Sequence, residues 1–123
     1  MVRPAQERGI PTMRVDDPDE LAVSLGVAAY QKGDHARAEE SLATVAGSGR
    51  RSAGKATYLL GELLQGQGDL AGAESAFRQA AEGDDREIAA VAMVNLAAIV
   101  MGRGDLAEAE GLLVQLIQQR RRS

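Results

Sequence analysis

The side chains in this sequence suited to chemistry are few, and they lie apart. Gly49-Arg50-Arg51-Ser52-Ala53-Gly54-Lys55 has the spacing of a phosphate-binding loop: glycine, four residues, glycine, lysine. Such a loop follows a β-strand, and it needs Ser or Thr directly after the lysine to hold magnesium. Here Ala56 follows Lys55, and the preceding stretch reads as a helix and a flexible link. The match is read as a linker entering a helix. His35, the single histidine, would need an orienting carboxylate and a second group for acid–base work, or further ligands for a metal. Among its charged neighbours it reads as a solvated surface residue.

The paired acids Glu39-Glu40, Asp84-Asp85 and Glu108/Glu110 have the spacing of helix-surface or cap residues. The absence of cysteine removes thiolate metal sites, disulfides and cysteine nucleophiles. No catalytic residue, cofactor or metal site is expected, and the chain does not read as an enzyme. Arg120-Arg121-Arg122 complements the negative end of a final helix. Three arginines on a chain of net charge -4 make a weak nucleic-acid footprint, so neither nucleic acid nor a membrane is an expected partner.

The elements that must carry these residues show themselves by repetition. Gly33-Asp34, Gly68-Asp69 and Gly104-Asp105 recur with the same neighbours. Before each step comes a leucine and a small residue: Leu25-Gly26, Leu60-Gly61 and Leu96-Ala97. After each comes an alanine (Ala38, Ala73, Ala109) and then a large apolar residue (Leu42, Phe77, Leu113). A fixed period of this size marks a helical repeat array. With 123 residues the chain holds three repeats, about the minimum that buries a shared core. Its aromatics are Tyr30, Tyr58 and Phe77 alone, so the core must be aliphatic and alanine-rich, which suits closely spaced helices.

Residues 1–16, with Pro4, Gly9 and Pro11 and no apolar period, read as an extended or disordered arm. Residues 17–123 form the folded domain. Asp17-Pro18-Asp19-Glu20 opens it as a capped helix start. Helices are predicted over 18–32, 34–46, 53–66, 69–82, 85–102 and 105–121. Each Gly-Asp step supplies a left-handed exit and then a cap. Ser52 is the expected cap of the third helix, Asp84 with Glu87 opens the fifth, and Glu108 completes a capping box with Asp105. Where paired helices cross, Gly26 is expected to face Ala38, Gly61 to face Ala73 and Ala97 to face Ala109. Leu25, Leu60 and Leu96 should fill the space around them.

Met93-Val94-Asn95-Leu96-Ala97 through Gly104-Asp105 and Ala109, and Tyr58-Leu59-Leu60-Gly61 through Gly68-Asp69, Ala73 and Phe77, resemble the tetratricopeptide repeat. The closing proline of that repeat is absent, and Ala80-Ala81 before Gly83 is similar to Sel-like repeats. The resemblance spans about residues 19–119. It implies an all-α fold: an α-solenoid of three antiparallel helix pairs in a right-handed superhelix.

It also implies a concave groove lined by the first helix of each pair. Matched by position, the groove residues are Val23, Val27 and Tyr30, then Tyr58, Glu62 and Gln65, then Val91, Val94, Asn95, Ala98 and Met101. Asn95 matches the family asparagine that hydrogen-bonds a bound peptide backbone. Lys55 stands alone among groove positions, so a basic clamp for carboxylates is not formed. The surface is apolar for one facing water; from Ile88 to Met101 the only polar residue is Asn95. Either these side chains are core, or the groove docks an apolar or amphipathic segment of a partner protein.

Two functions follow. One is an adaptor, scaffold or chaperone-like binding module. The other is a self-assembling module, a homodimer through the uncapped last pair at Leu112, Leu116 and Ile117. No apolar run reaches a membrane span and no signal core opens the chain, so a cytoplasmic location is expected. Arginine outnumbers lysine twelve to two, the usage of a GC-rich bacterial genome.

Overall fold

The computed structural model describes residues 17–122; the expected arm over 1–16 lies outside the described residues. Among the described residues six helices follow one another: α1 (Pro18–Lys32), α2 (His35–Ala46), α3 (Ala53–Gly66), α4 (Leu70–Ala81), α5 (Arg86–Gly102) and α6 (Leu106–Arg122). Among the described residues there is no strand. Every helix boundary falls within one residue of its sequence expectation.

The Gly-Asp steps account for this accuracy. Gly33, Gly68 and Gly104 take φ values of 92°, 85° and 94°, left-handed backbone that glycine enters without a Cβ clash. The following aspartate N–H groups then reach back to close the helix: Asp34 to Ala29 at 2.8 Å, Asp69 to Leu64 at 2.9 Å and Asp105 to Val100 at 2.9 Å. Their carboxylates cap the next helix, accepting from the amides of Arg37, Gly72 and Glu108. Two residues therefore end one helix and begin another.

Two capping expectations need correction, and a third holds in part. Glu108 does not return to the Asp105 amide, because that N–H is already committed to Val100. Its carboxylate goes to Arg78 and Arg103 instead. The cap of α5 is Asp85 and not Asp84, accepting from Glu87 and Ile88. Ser52 does hold the N-cap position of α3, its carbonyl accepting from the Ala56 amide at 3.0 Å, but its side chain makes no cap bond.

Within pairs the small residues do admit close helix approach; Gly26 faces Ala38 as expected, a Cβ there standing 3.4 Å from the Ala38 carbonyl oxygen, but the tightest contacts are with other residues. A Cβ on Gly61 would stand 2.8 Å from Cε1 of Phe77, and one on Gly26 would stand 2.9 Å from Cγ of Leu42. Each glycine makes room for the large residue four positions beyond the expected alanine. Ala38, Ala73 and Ala109 lie buried alongside.

Between pairs, α3 packs on the first pair through Ala56, Leu59 and Leu60 against Val23, Leu42 and Val45. In the same way α5 packs Ala92 and Leu96 against Phe77 and Ala80, with Tyr58 at the margin. The outcome is a stack in which each helix packs mainly on its chain neighbours, with α3 also touching α5. Leu25 departs from expectation. It is 46 % exposed, because its counterparts Leu60 and Leu96 pack on a preceding pair and α1 has none among the described residues.

Ion pairs brace the stack. Arg50 holds Asp19 through two hydrogen bonds of 2.6 and 2.8 Å, tying the link after α2 to the start of α1. Arg120 meets Glu87 at 2.9 Å, tying the end of α6 to the start of α5. A larger network joins the second and third pairs: Arg78 bonds Glu74 at 2.8 Å and Glu108 at 2.9 Å, and Arg103 also bonds Glu74.

Candidate partner-binding groove

Repeat-equivalent positions sort the groove residues by what covers them. Val23, Tyr58 and Val94 occupy one position in the three pairs. Val23 is 4 % exposed and lies in the core, Tyr58 is half-buried, and Val94 is 47 % exposed. The first helix of the next pair covers this position: α3 covers Val23, α5 partly covers Tyr58, and no described helix covers Val94. Val23 is thus a core residue, a correction to the groove expectation.

Two other positions stay open along the whole stack. Val27, Glu62 and Ala98 form one row, and Tyr30, Gln65 and Met101 form the other; all but half-buried Val27 are exposed. The face they make is apolar at both ends and polar in the middle.

Tyr30 is held in place on both sides. Its ring stacks on His35 with centroids 5.3 Å apart, and its hydroxyl leans over Gly66, where a Cβ would stand 2.8 Å away. His35 itself is exposed. Beside Tyr30, a notch of about 200 Å³ opens between α1 and α3, walled by Val27, Leu59, Glu62 and Leu63. Its floor is Gly26 and Leu42, so the glycine that permits the helix crossing also hollows the groove. Sequence reasoning missed this notch. The signal was present, since a glycine one turn from a groove position leaves space on both sides of the helix.

At the centre, Asn95 donates its amide to the Tyr58 hydroxyl at 3.1 Å, and that hydroxyl donates to Glu62 at 3.3 Å. Burial pushes the Tyr58 hydroxyl above its ordinary range; the nearby Glu62 carboxylate adds to this, while the Asn95 bond opposes it. The phenol therefore stays protonated at neutral pH and serves as a fixed hydrogen-bonding rung. The asparagine assigned by resemblance to a bound backbone is engaged within the chain.

Val91 and Val94 line a different depression, of about 500 Å³, with Leu116, Ile117, Arg120 and Arg121 at the end of the stack. Ile117 is 50 % exposed and Leu116 half-buried. Leu112 packs against the α4–α5–α6 core, so of the three α6 residues expected to be uncovered, Leu116 and Ile117 form this surface.

Lys55 lies exposed in the first turn of α3, and α2 precedes its link, which is not the setting of a phosphate-binding loop. Among the described residues no cluster of His, Cys, Asp or Glu could hold a metal ion. Nor is any described helix long and apolar enough to cross a membrane.

A family model for the tetratricopeptide repeat matches residues 23–88 and, overlapping it, residues 58–123. No curated protein matches the chain.

Proposed function

The chain belongs to the tetratricopeptide repeat family, and from that membership we propose that it is an adaptor or chaperone-like module whose groove binds an apolar or amphipathic segment of a partner protein. Repeats of this family generally mediate protein–protein interaction and are typically not catalytic. The observation that carries the proposal is the notch between α1 and α3. It is an apolar recess beside the held ring of Tyr30, on a face whose far end is exposed Met101. Recesses of this kind take anchoring side chains, and methionine adapts to varied apolar partners. Glu62 and Gln65 between them meet the polar side of an amphipathic segment.

A photo-crosslinker placed at Met101 should capture a partner that the same group at Thr44, exposed on α2, does not. Val27→Asp should then abolish that capture. Equal capture from both positions overturns the groove assignment.

A second reading, a self-assembling module, draws on Leu116 and Ile117. The counterparts of these residues in the first two pairs, Val45 and Ala46, then Ala80 and Ala81, face a following pair. The mass of the full chain by light scattering tests it.

A further inference from the structure

The two ends of the stack carry matching halves of one junction. Inside the chain, the first helix of a pair always enters the same three-sided seat. For α3 the seat is Val23, Leu42 and Val45; for α5 it is Tyr58, Phe77 and Ala80. One period further on, the seat recurs as Val94, Leu113 and Leu116, beside Ile117, and no described helix fills it. One period back, the entering face recurs on α1 as Leu21 and Leu25. These are 44 % and 46 % exposed, whereas Ala56 and Ala92, the counterparts of Leu21, are fully buried.

We propose that the α1 face of a second copy of this chain enters the seat on α5 and α6, so that copies stack head to tail. The proposal rests on the self-association reading and gives it a direction. Charge favours it. At each internal junction the end of one helix lies beside the start of the next, Val45 with Ala56 and Ala80 with Ala92. A stacked copy thereby brings the acidic first turn of α1, with Glu20 and the Arg50-paired Asp19, beside the basic last turn of α6, where Arg121 and Arg122 flank the Glu87-paired Arg120. Opposite charges at an interface rim orient the encounter and speed it.

The packing grammar of the chain points the same way. First helices pack on second helices throughout, while no two second helices form a substantial contact. An α6-to-α6 dimer would need a contact that the fold does not otherwise use. Leu21 is bulkier than Ala56 and Ala92, and Leu116 than Ala80, so the helices stand further apart across this junction than α4 and α5 do. The junction is accordingly weaker than those within the chain. Because the two faces differ, each added copy leaves a free seat and a free face, and assembly does not close at two.

The test uses the full chain and two variants in light scattering after size exclusion. Leu25→Glu blocks the entering face and leaves the seat, while Val94→Glu blocks the seat and leaves the face. Both positions are exposed in the single chain, so both variants should keep the wild-type circular dichroism; Leu21→Glu and Ile117→Glu replace either one that does not. The wild type should pass the mass of two chains as concentration rises. Each variant alone should hold the mass of one chain, and their equimolar mixture the mass of two. Val114→Glu, exposed on α6 outside the seat, should behave as wild type. A Leu25→Glu chain that dimerises alone, with no gain on mixing, overturns the head-to-tail direction but keeps self-association. A wild type that holds the mass of one chain at every concentration overturns both.

Discussion

The Asn95 side-chain amide donates to the Tyr58 hydroxyl across 3.1 Å and so joins the first helix of the third pair to that of the second. Tyr58→Phe removes the acceptor and should lower stability by about 0.5–1.5 kcal/mol in chemical denaturation. Asn95→Ala should cost a similar amount, and the double variant should cost less than the sum. Full additivity would mean that the two groups do not act together.

Gly61 and Gly111 sit in helices with opposite surroundings. A side chain at Gly61 meets the fully buried ring of Phe77, so Gly61→Leu should destabilise by roughly 1–3 kcal/mol through overpacking. Nothing lies within 4 Å of a Cβ at Gly111, so Gly111→Ala should stabilise α6 by about 0.5–1 kcal/mol. Thermal unfolding of the two variants should move in opposite directions.

Val23 and Val94 hold the same repeat position with different cover. Val94→Asp should unfold within about 0.5 kcal/mol of wild type, as exposed substitutions do. Val23→Asp places a charge in the first-pair core and should abolish cooperative unfolding at room temperature. Similar melting curves for both would refute the cover argument.

Acid should loosen the second and third pairs. Arg78 bonding holds the Glu74 and Glu108 carboxyls below the ordinary range, with Arg103 contributing to both. Carboxylates with depressed folded values add stability that is fully present above the unfolded value. That stability is lost as pH falls through the folded one. The unfolding midpoint should therefore drop as pH falls below about 4.3, the ordinary glutamate value. In Glu74→Gln/Glu108→Gln the midpoint should start lower at neutral pH and fall less steeply.

The turns were legible in the sequence because their chemistry is local. A left-handed glycine and a capping aspartate act within a few residues, and the helices between them could be placed almost to the residue. Cover was not legible, because it depends on which helix comes next. Val23, Tyr58 and Val94 look alike by position, yet one is core, one is a hydrogen-bonded rung and one is bare. Leu25 misled for the converse reason: its counterparts, buried Leu96 and half-buried Leu60, are covered because a pair precedes them. The Glu108 capping box failed because Asp105 had already given its amide to Val100, a bond that belongs to the helix before it.

The ion network of Glu74, Arg78, Arg103 and Glu108 bolts the second pair to the third, and the bidentate Asp19–Arg50 pair stays within the first. In a quasi-one-dimensional array, such uneven fastening divides the molecule into units that open separately. Native-state hydrogen exchange should find α1 and α2 releasing their amides at a lower free energy than α4 and α5. The groove would then have one yielding wall, carrying Tyr30 and the notch, set against a firm one, so that a ligand engaging both walls would suppress exchange in α1.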